Sequence, residues 1–193
     1  HRQPVTARDV RRSPVHERLA ARGACFGVVA GWERPFWFAA DGTEPAYEYS
    51  YGRQNWFPYA AKEHRAVRET VGLFDQSPFA KLLVQGRDAE AVVQRIFAND
   101  MSVPPGTVVY TPMLNASGGY EADLTVTRTA VDSYLVVNGP ATATRTTNWI
   151  GRHIQDGAQV FLTDVTSAYG VLGVMGPESR NMLSKLTDTD LSN

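Results

Sequence analysis

Two consecutive glycines, Gly118 and Gly119, separate Leu114 and Asn115 from the β-forming run Leu124-Thr125-Val126-Thr127. A Gly-Gly pair permits a tight reversal through backbone conformations that other residues avoid. The run after it, with two threonines around Val126, has the composition of a strand. A turn followed by a strand is therefore expected, with Asp123 at the junction. Rigid elements often hold functional carboxylates at such places. An aspartate bonded to its own turn backbone is the alternative, and spacing alone favours it. Thr125 and Thr127 alternate with Asp123, so the three side chains share one face of the strand.

Period and punctuation predict the other elements. Pro58 opens a helix to Val71, with Ala60, His64, Val67 and Val71 at near-helical spacing and Gly72 as its stop. Lys81 to Val84 reads as a strand. The helix after Gly86 carries the stripe Ala89, Val92, Val93, Ile96, Phe97. Pro104-Pro105-Gly106 turns the chain into a strand over Thr107 to Thr111, and Tyr134 to Val137 forms another. Thr142 to Ile154 reads as a third helix. Val160 to Leu162 and Tyr169 to Met175 complete the strands, and Ser179 to Leu186 reads as a helix. Residues 1–57, rich in glycine, proline and aromatics, read as an irregular wrapping segment. Helices and strands joined by short links predict an α+β, or mixed α/β, class.

With 43% hydrophobic and 20% charged residues in 193, the chain suits one large or two small domains with a substantial core. A net charge of -1 and scattered arginines argue against a nucleic-acid surface. No apolar run approaches the roughly 20 residues that a bilayer span requires, so no membrane partner is expected. The single cysteine, Cys25, excludes an internal disulfide framework and a multi-cysteine zinc site. It reads as a small buried hydrophobe, and a reducing, cytoplasmic compartment is expected. His16 and His153 lack a metal-ligand partner at a useful spacing. The series Gly170, Gly173, Gly176 has the wrong spacing for a dinucleotide fingerprint and lies inside an apolar strand, so no flavin-binding domain is expected here.

Five segments carry a resemblance, in one order along the chain. They are Glu63-His64-Arg65-Ala66-Val67-Arg68 with Gly72-Leu73-Phe74-Asp75-Gln76-Ser77; Ala98-Asn99-Asp100; the run Asn115 to Thr127; Val136-Val137-Asn138; and Val174-Met175-Gly176-Pro177-Glu178-Ser179. Together they resemble the aminomethyltransferase family: the glycine cleavage T protein and the folate-binding part of dimethylglycine and sarcosine dehydrogenases. The resemblance runs from about Trp56 to Leu186. The aromatic stretch Trp32 to Phe38 is similar to the segment joining the flavin and folate domains of those dehydrogenases, and it can be a core-packing aromatic cluster at the same time. Ala122 stands where T proteins carry a second acidic residue, and Pro78-Phe79 where they carry His-Met. Both departures side with the dehydrogenases. Family members continue further, so the chain is expected to be a fragment. Residues 1–57 would be a central linker segment, and 58–193 an aminomethyltransferase folate-binding fold truncated at its C-terminus.

By this resemblance Asp123 is catalytic. It would contact the reactive nitrogens of tetrahydrofolate and stabilise positive charge as the one-carbon unit moves. Phe79 and Leu83 would line the folate pocket, or else sit in the core. Tyr110 would stack on the folate, with Thr125 and Thr127 on the face beside Asp123. Asn138 ends an apolar strand and would find its partner in the ligand, or else form a turn. The implied function is the tetrahydrofolate-binding, one-carbon transfer portion of an FAD-dependent N-methylamine dehydrogenase or oxidase, forming methylenetetrahydrofolate. FAD would belong to an upstream domain of the same parent chain, and the fragment alone is expected to be inactive. Two rivals stand beside this: a glycine cleavage aminomethyltransferase, and a non-catalytic regulatory subunit with the same fold. The N-terminal aromatic segment argues against the first and the retained Asp123 against the second.

Overall fold

The computed structural model describes residues 2–192. In chain order the first elements are α1 (His16–Ala20), β1 (Ala24–Val29), β2 (Trp32–Phe38), α2 (Phe57–Glu69), β3 (Gly72–Asp75), β4 (Ala80–Gln85) and α3 (Ala89–Ile96). There follow β5 (Val108–Leu114), β6 (Tyr120–Ala130), β7 (Ser133–Asn138), α4 (Ala143–His153), β8 (Phe161–Asp164), β9 (Leu172–Met175) and α5 (Ser179–Leu183). The chain forms two compact units, one of residues 2–77 with 170–192 and one of residues 78–169. No helix among the described residues is long and apolar enough to cross a membrane.

The first unit corrects one expectation. Within the segment read as irregular, β1 and β2 form an antiparallel hairpin. Its two-residue turn, Ala30-Gly31, holds φ at 51° and 81°, the reversed turn that matches the twist of the flanking strands. Gly27 and Pro35 hide the hairpin from sequence, since they interrupt the alternation that marks a strand. Trp37 and Cys25 face each other across it and are buried, and the Tyr59 ring of α2 lies 5.1 Å from that of Trp37. Trp32 and Trp37 of the aromatic run are thus core packing, whereas Phe36 is exposed. Burial pushes the Cys25 thiol above its ordinary pKa. In the same unit β3 and β9 pair antiparallel, from Gly72 opposite Met175 to Asp75 opposite Leu172.

The second unit is a two-layer sandwich. Its sheet runs β5-β6-β7-β4-β8, with every pair antiparallel. One face carries Leu82, Val84, Leu124, Val126 and Val136, which join Ala89, Val92, Val93 and Ile96 of α3 and Ile150 of α4 in a continuous core. The predicted α3 stripe is the stripe that is buried. Strand β6 is longer than expected, with 11 residues, so Asp123 stands inside the strand rather than at its start. Charged Glu121 and Arg128 mask those extra positions in the sequence. The structure partners both: Arg128 binds Glu90 at 2.6 Å and donates to the Val103 and Val131 carbonyls.

Candidate functional site

Register assigns side chains to faces, because directly opposed residues of a sheet point the same way. One row across the sheet reads Tyr110, Thr125, Val137, Lys81. The next reads Val108, Thr127, Leu135, Leu83, Thr163. Asp123 lies opposite Pro112, one step beyond Thr125 on the same side. Hence Asp123, Tyr110, Thr125, Thr127 and Leu83 share the face turned away from α3 and α4. The core residues Ala122, Leu124 and Val126 occupy the alternate positions.

The Asp123 carboxylate is exposed and accepts a hydrogen bond of 2.7 Å from the Tyr110 hydroxyl through Oδ2. That bond, made to the ionised acceptor, raises the Tyr110 pKa and keeps its phenol protonated. Among the described residues no other side chain is shown bonded to the Asp123 carboxylate, so Oδ1 is available to a ligand. Thr125, Thr127, Leu135, Val137 and Leu83 supply a half-buried floor of methyl groups and two hydroxyls beside it. Phe79, half-buried, precedes β4.

The hairpin tip is built around Asn115. Its Oδ1 accepts the backbone N–H of Ser117 and of Gly119, at 3.0 and 2.9 Å. Gly118 takes φ 78°, the left-handed region. Gly119 is crowded for a different reason: a Cβ there would lie 3.0 Å from Asn115 Nδ2, so that amide would have to shift. The same Nδ2 donates to Glu121 Oε1 at 3.1 Å, and Arg145 Nε donates to Glu121 Oε2 at 2.9 Å. These two donors hold the Glu121 carboxyl below the usual glutamate range. Glu121 is the extra residue where the β5–β6 register shifts between Met113 and Leu114, and such bulges re-aim side chains.

Asn138 is placed elsewhere. It continues the core-facing positions of β7 after Val136, and its amide donates to Thr142 Oγ1 at 3.0 Å and Thr146 Oγ1 at 3.1 Å. Those partners sit at and within the start of α4, on the opposite side of the sheet from Thr125 and Thr127. Its Oδ1 is buried without a partner. Of the predicted residues, then, five share one face and Asn138 does not. Sequence reasoning missed Lys81, which is 1% exposed on the Thr125 row; a lysine in a short apolar strand reads as solvent-facing. It also missed the Glu121–Arg145 pair, whose members lie 24 residues apart. A depression of about 1140 Å³ in the first unit, lined by Arg18, Leu19, Phe38, Asp41 and Leu73 among others, contains none of these residues.

The chain is thus an α+β protein with a hydrogen-bonded carboxylate on the sheet face turned away from α3 and α4. The profile of the GCVT N-terminal domain matches residues 15–193, and the chain belongs to that aminomethyltransferase family. It is 48% identical over 190 residues to 4-methylaminobutanoate oxidase (formaldehyde-forming) of Paenarthrobacter nicotinovorans, covering 98% of this chain and 23% of that protein. With the mitochondrial sarcosine dehydrogenase of Homo sapiens it shares 35% identity over 231 residues of alignment, covering 100% of this chain and 25% of that one. The chain therefore spans about a quarter of the length of these relatives. The structure of glycine cleavage system aminomethyltransferase T from Bartonella henselae matches with a TM-score of 0.75 and 22% identity, over 92% of this chain and 44% of that one, and shows the shared fold.

Proposed function

We propose that this chain is the tetrahydrofolate-binding, one-carbon transfer portion of an FAD-dependent N-methylamine dehydrogenase or oxidase of the dimethylglycine or sarcosine type. Methylenetetrahydrofolate is its product. The observation that carries the reading is the Asp123 carboxylate, fixed by Tyr110 on a sheet face that also presents Thr125, Thr127 and Leu83. Family membership supports it, as do two relatives named for N-methylated amino acids.

The residues present suit a reduced folate. A flat ring with polar edges needs an apolar floor with hydroxyls along it, and half-buried Leu83, Leu135 and Val137 lie beside Thr125 and Thr127. Tetrahydrofolate, when bound, supplies two amine nitrogens that take up a carbon at the formaldehyde level with loss of one water. Asp123 opposes positive charge near those nitrogens and accepts a proton through Oδ1. Tyr110 holds Oδ2, so the carboxylate presents a single orientation at no cost when the reaction begins. FAD and the amine belong, in this proposal, to a flavin domain of the same parent chain. Residues 1–57 are the connection to it, residues 58–193 the folate part, and a cytoplasmic location completes the reading.

The test is Asp123→Ala in the full-length protein. Amine oxidation should continue at its normal rate while methylenetetrahydrofolate falls by at least about tenfold and free formaldehyde replaces it. Equal folate product from variant and wild type would remove Asp123 from the reaction.

A further inference from the structure

We infer that Arg145 is a positioning residue for the chemistry at Asp123, acting through Glu121 and Asn115; the inference rests on the functional reading above. The Arg145–Glu121 pair differs from an ordinary surface ion pair. The side chain of Arg145 is 61% exposed, but that of Glu121 is only 8% exposed. Both Arg145 Nε and Nη2 donate to Glu121 Oε2, while Oε1 accepts from Asn115. A nearly buried carboxylate needs its partners, whereas a pair exposed on both sides contributes little.

The consequence of this chain of contacts reaches Asp123 by two routes. The first is mechanical. Asn115 holds the backbone of the tip through Ser117 and Gly119, so Arg145 in the first turn of α4 anchors the tip from which β6 sets out. Without Arg145, Glu121 turns out to water and releases Asn115. The second route is electrostatic. Glu121 lies two residues from Asp123 on the same strand, and Arg145 cancels its charge. An uncompensated Glu121 would place a second negative charge two residues from Asp123 on the same strand. The other ionisable groups on this face or its tip are Tyr110 and Tyr120, near the carboxylate, and Lys81 further along the Thr125 row.

The experiment compares Arg145→Gln, Arg145→Lys and Glu121→Gln with Asp123→Asn in the full-length protein. It measures amine oxidation, the share of carbon captured on tetrahydrofolate across pH, and amide exchange of the peptide spanning residues 114–123. Arg145→Gln should leave oxidation unchanged and lower capture about fivefold, as the displacement of a positioned group does. Exchange at the tip should quicken, and the acid limb of the capture profile should move to higher pH. Arg145→Lys should recover at least half of the lost capture. Glu121→Gln, which keeps an acceptor for Asn115 and removes the charge, should capture better than Arg145→Gln. Wild-type capture in Arg145→Gln overturns the inference, as does lost capture with unaltered exchange and acid limb. If Asp123→Asn captures as well as wild type, the functional reading fails instead, and the exchange rates alone still decide whether Arg145 holds the tip.

Discussion

Glu33, the second residue of β2, is 2% exposed, and Arg8 meets it with two hydrogen bonds of 2.7 Å while the Asp9 N–H adds a third of 2.8 Å. The Arg8 guanidinium beside it holds the Glu33 carboxyl below the usual range. A carboxyl whose pKa is depressed by folding contributes stability above its unfolded pKa, and that contribution is lost as pH falls through the folded value. Arg8→Ala should therefore cost about 2–3 kcal/mol at neutral pH, below the range for a fully dry pair because Arg8 is 32% exposed. Denaturant titration should show the difference shrinking in acid, and a difference independent of pH would deny the pair this role. Glu63 behaves oppositely. Burial raises its pKa, although it accepts the Phe38 N–H at 3.1 Å. Its favourable share is present below the unfolded pKa and lost as pH rises through the folded one. Glu63→Gln, which keeps the acceptor, should raise the thermal midpoint at pH 7 and leave it unchanged near pH 4.

At the scale of elements, the β5–β6 hairpin depends on two glycines for separate reasons. Gly118→Ala forces a side chain into left-handed φ and should cost about 1 kcal/mol, and Gly118→Asn less, because Asn tolerates that region. Gly119→Ala keeps its φ but crowds Asn115, so its signature should be faster exchange at the Ser117 amide. Thermal melts and amide exchange of the three variants separate these causes. Much of this element was legible in sequence. The Gly-Gly turn follows from glycine's backbone freedom, and the shared face of Asp123, Thr125 and Thr127 and the α3 stripe follow from period. What escaped was whatever depends on distant pairing. Nothing local links Glu121 to Arg145 or β3 to β9, and Gly27 and Pro35 conceal β1–β2. The place of Asn138 was half-visible, since it shares parity with Val136, but only the core shows which parity points inward.

For the molecule as a whole, the prediction concerns what these residues bind when purified alone. Incubated with excess FAD and desalted, the chain should retain no flavin absorbance, because Gly170, Gly173 and Gly176 have the wrong spacing for a dinucleotide fingerprint and Gly173 lies within β9; stoichiometric retention would refute this. Tetrahydrofolate should bind more weakly than to a chain extended to the length of the relatives, since polar contacts weaken where water reaches them. Calorimetry on both chains checks it, and equal affinities would place the complete pocket within these residues. The alternation along β6 also bears on ancestry. Residues 122, 124, 126 and 128 are buried, whereas 123, 125 and 127 face the other way and carry the chemistry proposed here. Selection for folding and selection for reaction therefore act on interleaved letters of one short word. A lineage that kept this scaffold but abandoned the reaction would drift at the odd-numbered letters while the even-numbered ones stayed fixed, so loss of function would be written as a change in every second residue.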